Sequence, residues 1–450
     1  MPSMILSAVD TAPKPTPIAT ARFAAMLGTS SSHSVTPGSF AEISSPIDTR
    51  PIIMTTAVSR SSVASALRAR NARKAAEAYG RPYTLVEPGA PLPRNGSVAL
   101  LHEPFTLLDR ADPGIDVLVE ATNTISFAAR VCLAAIDRGC HVVLMNAEVD
   151  LAVGPLLAHH AARRGVVVTS DAGDQHGVLM RMIDEIQLWA FRIVMAGNIK
   201  GFLDRHATAA GLEEEARIRN LNPIQCCAYT DGTKLNIEMA LVANAAGLPP
   251  AVLGMAGPRA KRVEDVFGLF DFDGYGDTGV VDYILGADPG GGVFVVGHCD
   301  DPLQRAYLKY YKLGQGPYYL LYRPYHLCHL ETTRAIALAA LYGKAVLRHG
   351  LPRTADVYAF AKRDLVAGDE LPHGIGGDHA YGLIAPAPPA EAQRWLPITL
   401  LDTEGGALPR LVRPVACDTP LTLDDVDLPE TALVRLVAQQ EALLGGGVAV

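Results

Sequence analysis

The stretch IDVLVEATNTISFAARVCLAAIDRGCHVVLMNAEVD, residues 115–150, decides the fold predicted for this chain. It holds two β-branched runs, residues 115–120 and 140–144, with a helical pattern at residues 127–138 between them. A strand, a helix of about three turns and a second strand form a βαβ crossover, which makes the two strands parallel. Both strands then end at the same edge of the sheet, where open α/β sheets bind their ligands. We therefore expect a small-molecule or nucleotide site at this edge.

Composition limits the class of protein. The chain has 450 residues, 49% of them hydrophobic, and a formal net charge of −8, which together predict two or three domains with full cores. The acidic balance argues against a nucleic-acid partner, and no apolar run reaches the ~18 residues that a membrane span needs. Seven cysteines without a CxxC motif indicate neither a disulfide framework nor a zinc site. We expect a cytoplasmic protein that binds a small molecule, without nucleic acid or membrane.

Strand and helix patterns divide the chain into four parts. We interpret residues 1–21 as a disordered leader, and residues 22–176, where strands alternate with helices, as a doubly wound, Rossmann-like α/β domain. Residues 177–351 form a second region of helices and strands, and residues 352–450 a third of short strands and turns. Residues 29–62, rich in serine, threonine and proline, fit neither a surface helix nor a regular strand.

A possible dinucleotide loop follows the first predicted strand. Residues 23–28 would form that strand, and Gly28, Thr29 and Ser30 begin the loop where the fingerprint GxGxxG would stand. The second and third glycines of the fingerprint are Ser30 and His33 here, which weakens phosphate binding by helix N-terminal amides. The loop therefore either holds a dinucleotide or belongs to a sheet that binds none.

Residues that follow three further predicted strands are relevant to cofactor binding. After the second predicted strand, residues 63–67, basic residues including Arg70 stand where an acidic residue would bind the ribose of NAD. They favour the 2′-phosphate of NADP, unless they are only the solvated start of a helix. In the βαβ crossover, Ala121, Thr122 and Asn146 follow the two strands and are candidate cofactor contacts.

The segment TDGTKLNIEMALVANAAGLP, residues 230–249, carries the clearest chemistry. Asp231 and Lys234 are three residues apart at the start of a helix, so the carboxylate can hold the ammonium at the wall of a cleft. Such a lysine can polarise a carbonyl, shuttle a proton, or form a Schiff base if desolvation lowers its pKa. The alternative, which the spacing alone favours, is a capping aspartate beside an ordinary surface lysine.

Charged residues also follow other predicted strands. These residues are Lys200 and Asp204, Glu148 and Asp150, and Asp171 and Asp174. We regard Lys200 and Glu148 as candidates for proton transfer, and Asp174 and Asp204 as candidates for substrate binding. The motifs HExxH, GxSxG and the P-loop do not occur in the sequence, which removes the commonest hydrolase and kinase interpretations.

The aromatic block at residues 316–347 contains His326, His329 and Glu331, which could suggest a metal site. The tyrosines around them favour packed or hydrogen-bonded histidines instead, so we predict no metal. Arg323 in the same block could bind a carboxylate or phosphate of the substrate through two parallel hydrogen bonds.

Several blocks together resemble the homoserine dehydrogenase-like NAD(P)-dependent oxidoreductases that carry a C-terminal SAF domain. The blocks are IDVLVEATNT, HVVLMNAEVD, SDAGDQHGVLM, IKGFLDRHAT, TDGTKLNIEMA and YRPYHLCHLE. The segment AKRDLVAGDELP, residues 361–372, is similar to the signature of the SAF domain, and the whole resemblance extends over residues 116–426.

The resemblance also assigns roles to single residues. Asp231 and Lys234 are similar to the aspartate and lysine of the family's catalytic helix, with a spacing one residue shorter. The family's strand-end lysine corresponds to Ala147, so this catalytic group is absent here and Glu148 stands beside its position.

The resemblance implies an NAD(P)-dependent oxidoreductase that forms a homodimer or homotetramer. It makes residues 177–351 the catalytic and dimerisation domain and residues 352–450 a SAF-like β-clip domain. We expect hydride transfer between NAD(P) and a small polar hydroxy or oxo compound, sugar-acid or amino-acid-like, with Lys234 polarising its oxygen and Asp231 orienting the lysine. One alternative is a lyase, dehydratase or isomerase that uses Lys234 without a dinucleotide. Another is a non-catalytic carbohydrate-binding protein.

Overall fold

A seven-stranded parallel sheet forms the first part of the chain. The computed structural model describes residues 4–7, 52–55, 73, 76–78, 80, 82–93, 98–101, 103–110, 114–219, 221–349, 353–402 and 408–445. The strands of the sheet are β1 (Met4–Ser7), β2 (Ile52–Thr55), β3 (Tyr83–Leu85), β4 (Val98–Leu101), β5 (Val117–Glu120), β6 (His141–Leu144) and β7 (Val168–Ser170). Their order is β3-β4-β2-β1-β5-β6-β7, and all neighbours are parallel. The chain winds outward on both sides of β1, so the predicted doubly wound, Rossmann-like fold is confirmed.

The predicted crossover is present between β5 and β6. The helices of this part are α1 (Phe105–Leu108), α2 (Ser126–Asp137), α3 (Ala147–Arg164) and α4 (Gln175–Leu188). All four residues of β5 are buried, as expected for a parallel strand covered on both faces. Asn146 caps α3 by accepting a hydrogen bond from the Val149 amide at 3.1 Å, and Gly165 ends the helix with a φ of 70°. These local signals place the start of α3 directly behind β6.

The first strand lies earlier than the sequence predicted. Met4–Ser7 pairs with β2 and β5 at the centre of the sheet, so the prediction of a disordered leader fails for these four residues, and the rest of residues 1–21 lies outside the described residues. Strand β2 likewise falls within residues 29–62, which the sequence interpretation left without regular structure. Both strands are short and mostly apolar. A parallel strand that is covered on both faces has no alternating pattern from which it could be predicted. The predicted strands at 23–28 and 63–67, and with them Gly28, Thr29, Ser30 and Arg70, lie outside the described residues.

A second sheet of four strands follows in the order β11-β10-β8-β9. Its strands are β8 (Arg192–Lys200), β9 (Val280–Leu285), β10 (Val293–His298) and β11 (Tyr318–Arg323). Strand β8 is parallel to β9, whereas β10 is antiparallel to both β8 and β11. The helices of this part are α5 (Glu213–Arg219), α6 (Pro223–Thr230), α7 (Thr233–Ala246), α8 (Val266–Leu269), α9 (Pro302–Tyr310) and α10 (Cys328–Tyr342).

Helix α7 lies at the centre of the molecule. It packs against α3 and α4 on one side and against the strands that follow residue 353 on the other. Residues from Thr233 to Ala243 are all buried, so the helix is covered on every face rather than along one stripe. Any polar residue near the start of α7 is therefore brought against several parts of the chain at once.

The C-terminal part consists of short strands and two helices. They are β12 (Ala355–Ala361), β13 (Ala380–Pro386), α11 (Ala387–Ala392), β14 (Arg410–Leu411), β15 (Val426–Asp427) and α12 (Ala432–Leu444). Strand β13 is joined to α7 by hydrogen bonds from the Gly382 amide to Thr233 Oγ1 at 2.8 Å and from the Ile384 amide to Asn236 Oδ1 at 2.9 Å. The C-terminal part is thus fastened directly to the buried helix. Its identity as a SAF-like domain and the boundary at residue 352 stay predictions.

The cysteines form no cross-links in this fold. All seven are free thiols, and five of them are buried. Among the residues that the structure describes, no helix combines the length and the hydropathy that a membrane span requires.

Candidate active site

Lys234 and Glu148 form an ion pair at the carboxyl edge of the parallel sheet. The Lys234 Nζ atom lies 3.0 Å from Glu148 Oε1 and 3.1 Å from Oε2, and the lysine is only 7% exposed. Glu148 is in the first turn of α3, which follows β6. Because α3 starts behind β6, the pair lies at the edge where ligands of such sheets bind.

Asp231 does not contact the Lys234 ammonium, so the predicted orienting role of Asp231 is wrong. Its Oδ2 atom is 2.8 Å from Lys362 Nζ, with 0% and 2% of the two side chains exposed. Gly232, with a φ of 86°, separates α6 from α7, and Asp231 belongs to the end of α6. A contact between side chains three residues apart requires one continuous helix, and the turn at Gly232 interrupts it.

Other acidic side chains surround the Lys234 ammonium. Burial alone would lower the pKa of Lys234, but the carboxylates of Glu148 and Asp174 outweigh burial and raise this pKa well above its usual value. Lys234 is therefore an ammonium ion at neutral pH. Such a group stabilises negative charge on a neighbouring oxygen, whereas Schiff-base formation requires a neutral amine.

The pKa values of the neighbouring carboxyl groups differ widely. Burial and the charge of Asp174 raise the pKa of Asp171 to about 7 and that of Glu238 to about 8. Burial opposes ionisation of Asp174 as well, but the charges of His176 and Lys234 hold the pKa of Asp174 at about 2. The cluster thus offers carboxylic acids and a carboxylate at the same pH, which is the arrangement that acid–base sites require.

Two histidines and a cysteine border this cluster. His176 is buried, burial lowers its pKa, and neither ring nitrogen has a hydrogen-bond partner in the described structure. His326 Nδ1 lies 3.7 Å from Asp174 Oδ1 and 3.6 Å from Cys328 Sγ. Asp174, His326 and Cys328 are therefore a set of donor atoms that could ligate a metal, although the sequence interpretation predicted none.

The remaining predicted residues have other contacts. Arg323 Nη1 pairs with Glu331 Oε1 at 2.7 Å, and its guanidinium lies 4.5 Å from the centre of the Tyr325 ring. Arg323 and Glu331 are thus paired with each other, and substrate binding by Arg323 stays a prediction. Lys200 ends β8 and lowers the otherwise raised pKa of Glu238. Asp204 is exposed and accepts a hydrogen bond from the His206 amide at 3.0 Å.

Hydrogen bonds join the loops that follow β5 and β6. Asn146 Nδ2 donates to the Thr124 carbonyl at 2.7 Å, and the Thr122 amide donates to Glu120 Oε1 at 2.8 Å. The hydroxyls of Thr122 and Thr124 are 3.0 Å apart. Burial raises the pKa of Glu120 to about 7, although its contacts with Thr122 and Asn146 lower it. The ends of β5 and β6 are therefore joined by a hydrogen-bonded group of hydroxyl, amide and carboxyl side chains.

Several residues of the site were missed by sequence reasoning. They are Glu120, His176, Glu238 and Lys362. Two of them had a usable signal, because Glu120 is the only acid of an apolar strand and Glu238 is one helical turn after Lys234. The contact between Asp231 and Lys362 joins distant segments, so no local pattern could reveal it.

Part of the chain matches the model of a known protein family. Residues 173–332 match the family model described as oxidoreductase DRL, catalytic domain. This segment contains α4, α7 and the second sheet, and with them Asp174 and Lys234. The predicted relationship to the oxidoreductases is confirmed for this segment. Among curated proteins, no sequence matches the chain significantly.

The chain is also similar to solved structures. A homoserine dehydrogenase from Thiobacillus denitrificans is 16% identical, with 71% of this chain and 75% of that chain covered and a TM-score of 0.35. A probable dehydrogenase from Thermotoga maritima is 11% identical, with 54% of this chain and 64% of that chain covered and a TM-score of 0.31. A 1-deoxy-D-xylulose 5-phosphate reductoisomerase from Zymomonas mobilis in complex with NADPH is 16% identical, with 42% of this chain and 48% of that chain covered and a TM-score of 0.27. The chain spans less than two thirds of the length of the last two proteins.

The Lys234–Glu148 pair can be tested by a double-mutant cycle. We expect Glu148→Gln to lower the free energy of unfolding by about 3 kcal/mol, because it removes the partner of a buried ammonium. Adding Lys234→Met should restore much of that loss, since neither charge is then left alone. Urea unfolding of the four proteins at neutral pH measures the coupling.

The exposed pair Arg217–Glu214, with 72% and 69% of its side chains accessible, provides the matched control. The same cycle on this pair should give no resolvable coupling, because solvent screens both charges. Equal coupling in the two cycles would contradict the assignment of a buried, compensated Lys234.

The pKa of Glu120 predicts a pH-dependent stability. Its folded value of about 7 exceeds the ordinary 4.5, so the folded state binds the proton more tightly. The resulting stabilisation is complete below pH 4.5 and is lost as the pH rises through 7. Relative to Glu120→Gln, which stays neutral, the wild type should lose about 3 kcal/mol of unfolding free energy between about pH 5 and about pH 8. A difference that is constant with pH would refute the buried acid.

Proposed function

We propose that the protein is an NAD(P)-dependent oxidoreductase that transfers a hydride to or from a small polar hydroxy or oxo compound. The observation that carries the proposal is the buried Lys234 ammonium, held by Glu148 at the carboxyl edge of a Rossmann-ordered sheet. Lys234 also lies in the segment that matches an oxidoreductase catalytic domain. A fixed positive charge at the ligand edge is what a reaction that builds up charge on oxygen needs.

The described residues beside β5 and β6 fit a nicotinamide dinucleotide. Thr122, Thr124 and Asn146 supply hydroxyl and amide groups at the ends of these strands, which suits hydrogen bonding to a ribose or a carboxamide. We propose Ala121, Thr122 and Asn146 as contacts of this cofactor. When bound, the dinucleotide supplies or accepts the hydride. A preference for NADP stays a prediction that rests on Arg70.

The residues around Lys234 have two roles in the proposed reaction, stabilising charge on the substrate oxygen and supplying its proton. Lys234 stabilises the oxygen of the substrate while it carries negative charge, and Glu148 keeps the ammonium in place. A proton for that oxygen can come from a neighbouring carboxylic acid. Glu238, with a pKa of about 8, is protonated at neutral pH and lies one turn further along α7. Asp174 stays ionised and adds to the field that keeps Lys234 charged.

The raised pKa of Lys234 argues against a lyase that works through a Schiff base. Such an enzyme lowers the pKa of its lysine, by burial without acidic partners or by a second cation nearby. Here the partners are carboxylates, and the net shift is upward. A cluster of buried groups with displaced pKa values is also more than a non-catalytic carbohydrate-binding surface requires.

Cofactor binding and turnover test the proposal together. The full-length protein is titrated with NADH and with NADPH, followed by the fluorescence of the reduced nicotinamide. Turnover with the preferred cofactor is then measured on a panel of small hydroxy acids, amino alcohols and their oxo forms. We expect Lys234→Met to keep cofactor binding and to lower kcat/KM by roughly 100-fold or more, because it removes the charge that stabilises the oxygen.

The matched control is Lys309→Met, which removes an exposed ammonium from α9 and should leave both measurements unchanged. If Lys234→Met does not fold, Lys234→Arg keeps the charge and should retain cofactor binding with an intermediate rate. Absence of binding of either cofactor to the folded wild type would refute the oxidoreductase, and wild-type rates in Lys234→Met would remove Lys234 from the mechanism.

A further inference from the structure

A second group of metal-binding residue types lies where the loop after β8 meets the C-terminal part. His206 belongs to that loop, and Cys417 and Asp418 lie between β14 and β15. His206 Nε2 is 2.9 Å from Asp418 Oδ1 and 3.8 Å from Cys417 Sγ. The nitrogen, sulfur and oxygen atoms all lie within 4.8 Å of one another.

We propose that His206, Cys417 and Asp418 bind one divalent metal ion of the zinc class, with a fourth coordination position open to water. His206 Nε2 forms one hydrogen bond, to Asp418 Oδ1, and the Cys417 thiol, 3.8 Å from the same nitrogen, has the Lys362 carbonyl as its partner. One metal ion satisfies all three atoms at once. Zinc accepts thiolate, imidazole and carboxylate ligands together, whereas magnesium and calcium prefer sets made of oxygen.

The distances between the donor atoms suit this ion. Zinc bonds of about 2.0–2.3 Å in tetrahedral geometry put neighbouring ligand atoms roughly 3.3–3.6 Å apart. The separations of 2.9 and 3.8 Å lie on either side of that range, so small side-chain rotations reach it. About half of the His206 and Asp418 side chains is accessible, 51% and 53%, so an ion can enter from solvent.

Neighbouring residues hold two of the ligands in place. The Tyr381 hydroxyl donates to Asp418 Oδ1 at 2.8 Å, and the Cys417 amide donates to Asp364 Oδ1 at 2.9 Å. Hydrogen bonds of this kind orient metal ligands in known sites. Asp418 also has a φ of 59°, in the left-handed region that aspartate and asparagine tolerate better than most residues.

A metal ion here would connect the loop after β8 to the C-terminal part of the fold. Cys417 Sγ lies 3.4 Å from the Lys362 carbonyl, and Lys362 Nζ binds both Asp231 and the Ala207 carbonyl. The proposed ion is therefore adjacent to the bridge that fixes the turn before α7. It would stabilise this junction whatever reaction the protein performs.

Cobalt(II) tests the site directly, because its complexes with thiolates absorb in the near ultraviolet and tetrahedral cobalt absorbs in the visible. The full-length protein, freed of metal with a chelator, is titrated with Co²⁺ and then with Zn²⁺. We expect one equivalent of Co²⁺ to give both bands and Zn²⁺ to abolish them. Cys417→Ser should remove the thiolate band, and His206→Gln and Asp418→Asn should each weaken binding at least 10-fold.

Two control variants separate this site from other binding. Cys328→Ser removes the thiol of the Asp174, His326 and Cys328 set, and the double variant His159→Gln/His160→Gln removes adjacent histidines on α3. Both controls should keep the cobalt spectrum and its affinity. The proposal fails if the folded wild type gives no thiolate band, or if the band survives Cys417→Ser and disappears in Cys328→Ser. Because the three ligands are partly exposed, circular dichroism should show all of the variants to be folded.

Discussion

The ion pair between Lys234 and Glu148 is the interaction on which the rest of the site depends. A buried ammonium is stable only when carboxylates compensate it, and this compensation comes from α3 and from the start of α4. The pair therefore fixes α7 against the carboxyl edge of the parallel sheet. The same requirement keeps Lys234 charged, so one electrostatic constraint sets both a packing contact and the chemistry that the lysine can perform.

Helix α7 connects the ion pair to several other parts of the fold. Its first turns are bonded to α3 through Lys234 and to β13 through Thr233 and Asn236. In the turn before α7, Asp231 forms an ion pair with Lys362, the residue that directly follows β12. A helix buried on all faces cannot shift at one contact without disturbing the others. The parallel sheet, the second sheet and the C-terminal part thus meet around α7.

The sequence predicted what local patterns determine and missed what long-range contacts determine. The βαβ unit at residues 115–150 was predictable because strand, helix and capping signals follow one another within it. Lys234 and Glu148 were both named as candidates, but their pairing was not predicted, because Gly232 breaks the helix on which the expected contact with Asp231 depended. Strand β1 was missed because a four-residue segment with three apolar side chains carries no period that distinguishes it from an irregular segment.

The most direct test of the account is a crystal structure of the full-length protein with NADPH. We expect the nicotinamide to lie at the carboxyl edge of β5 and β6, with its reactive carbon within about 7 Å of Lys234 Nζ, so that a carbonyl group fits between them. We also expect the contact between Lys234 and Glu148 to persist in the complex. A nicotinamide bound elsewhere, or a Lys234 ammonium turned away from the sheet edge, would contradict the central claim.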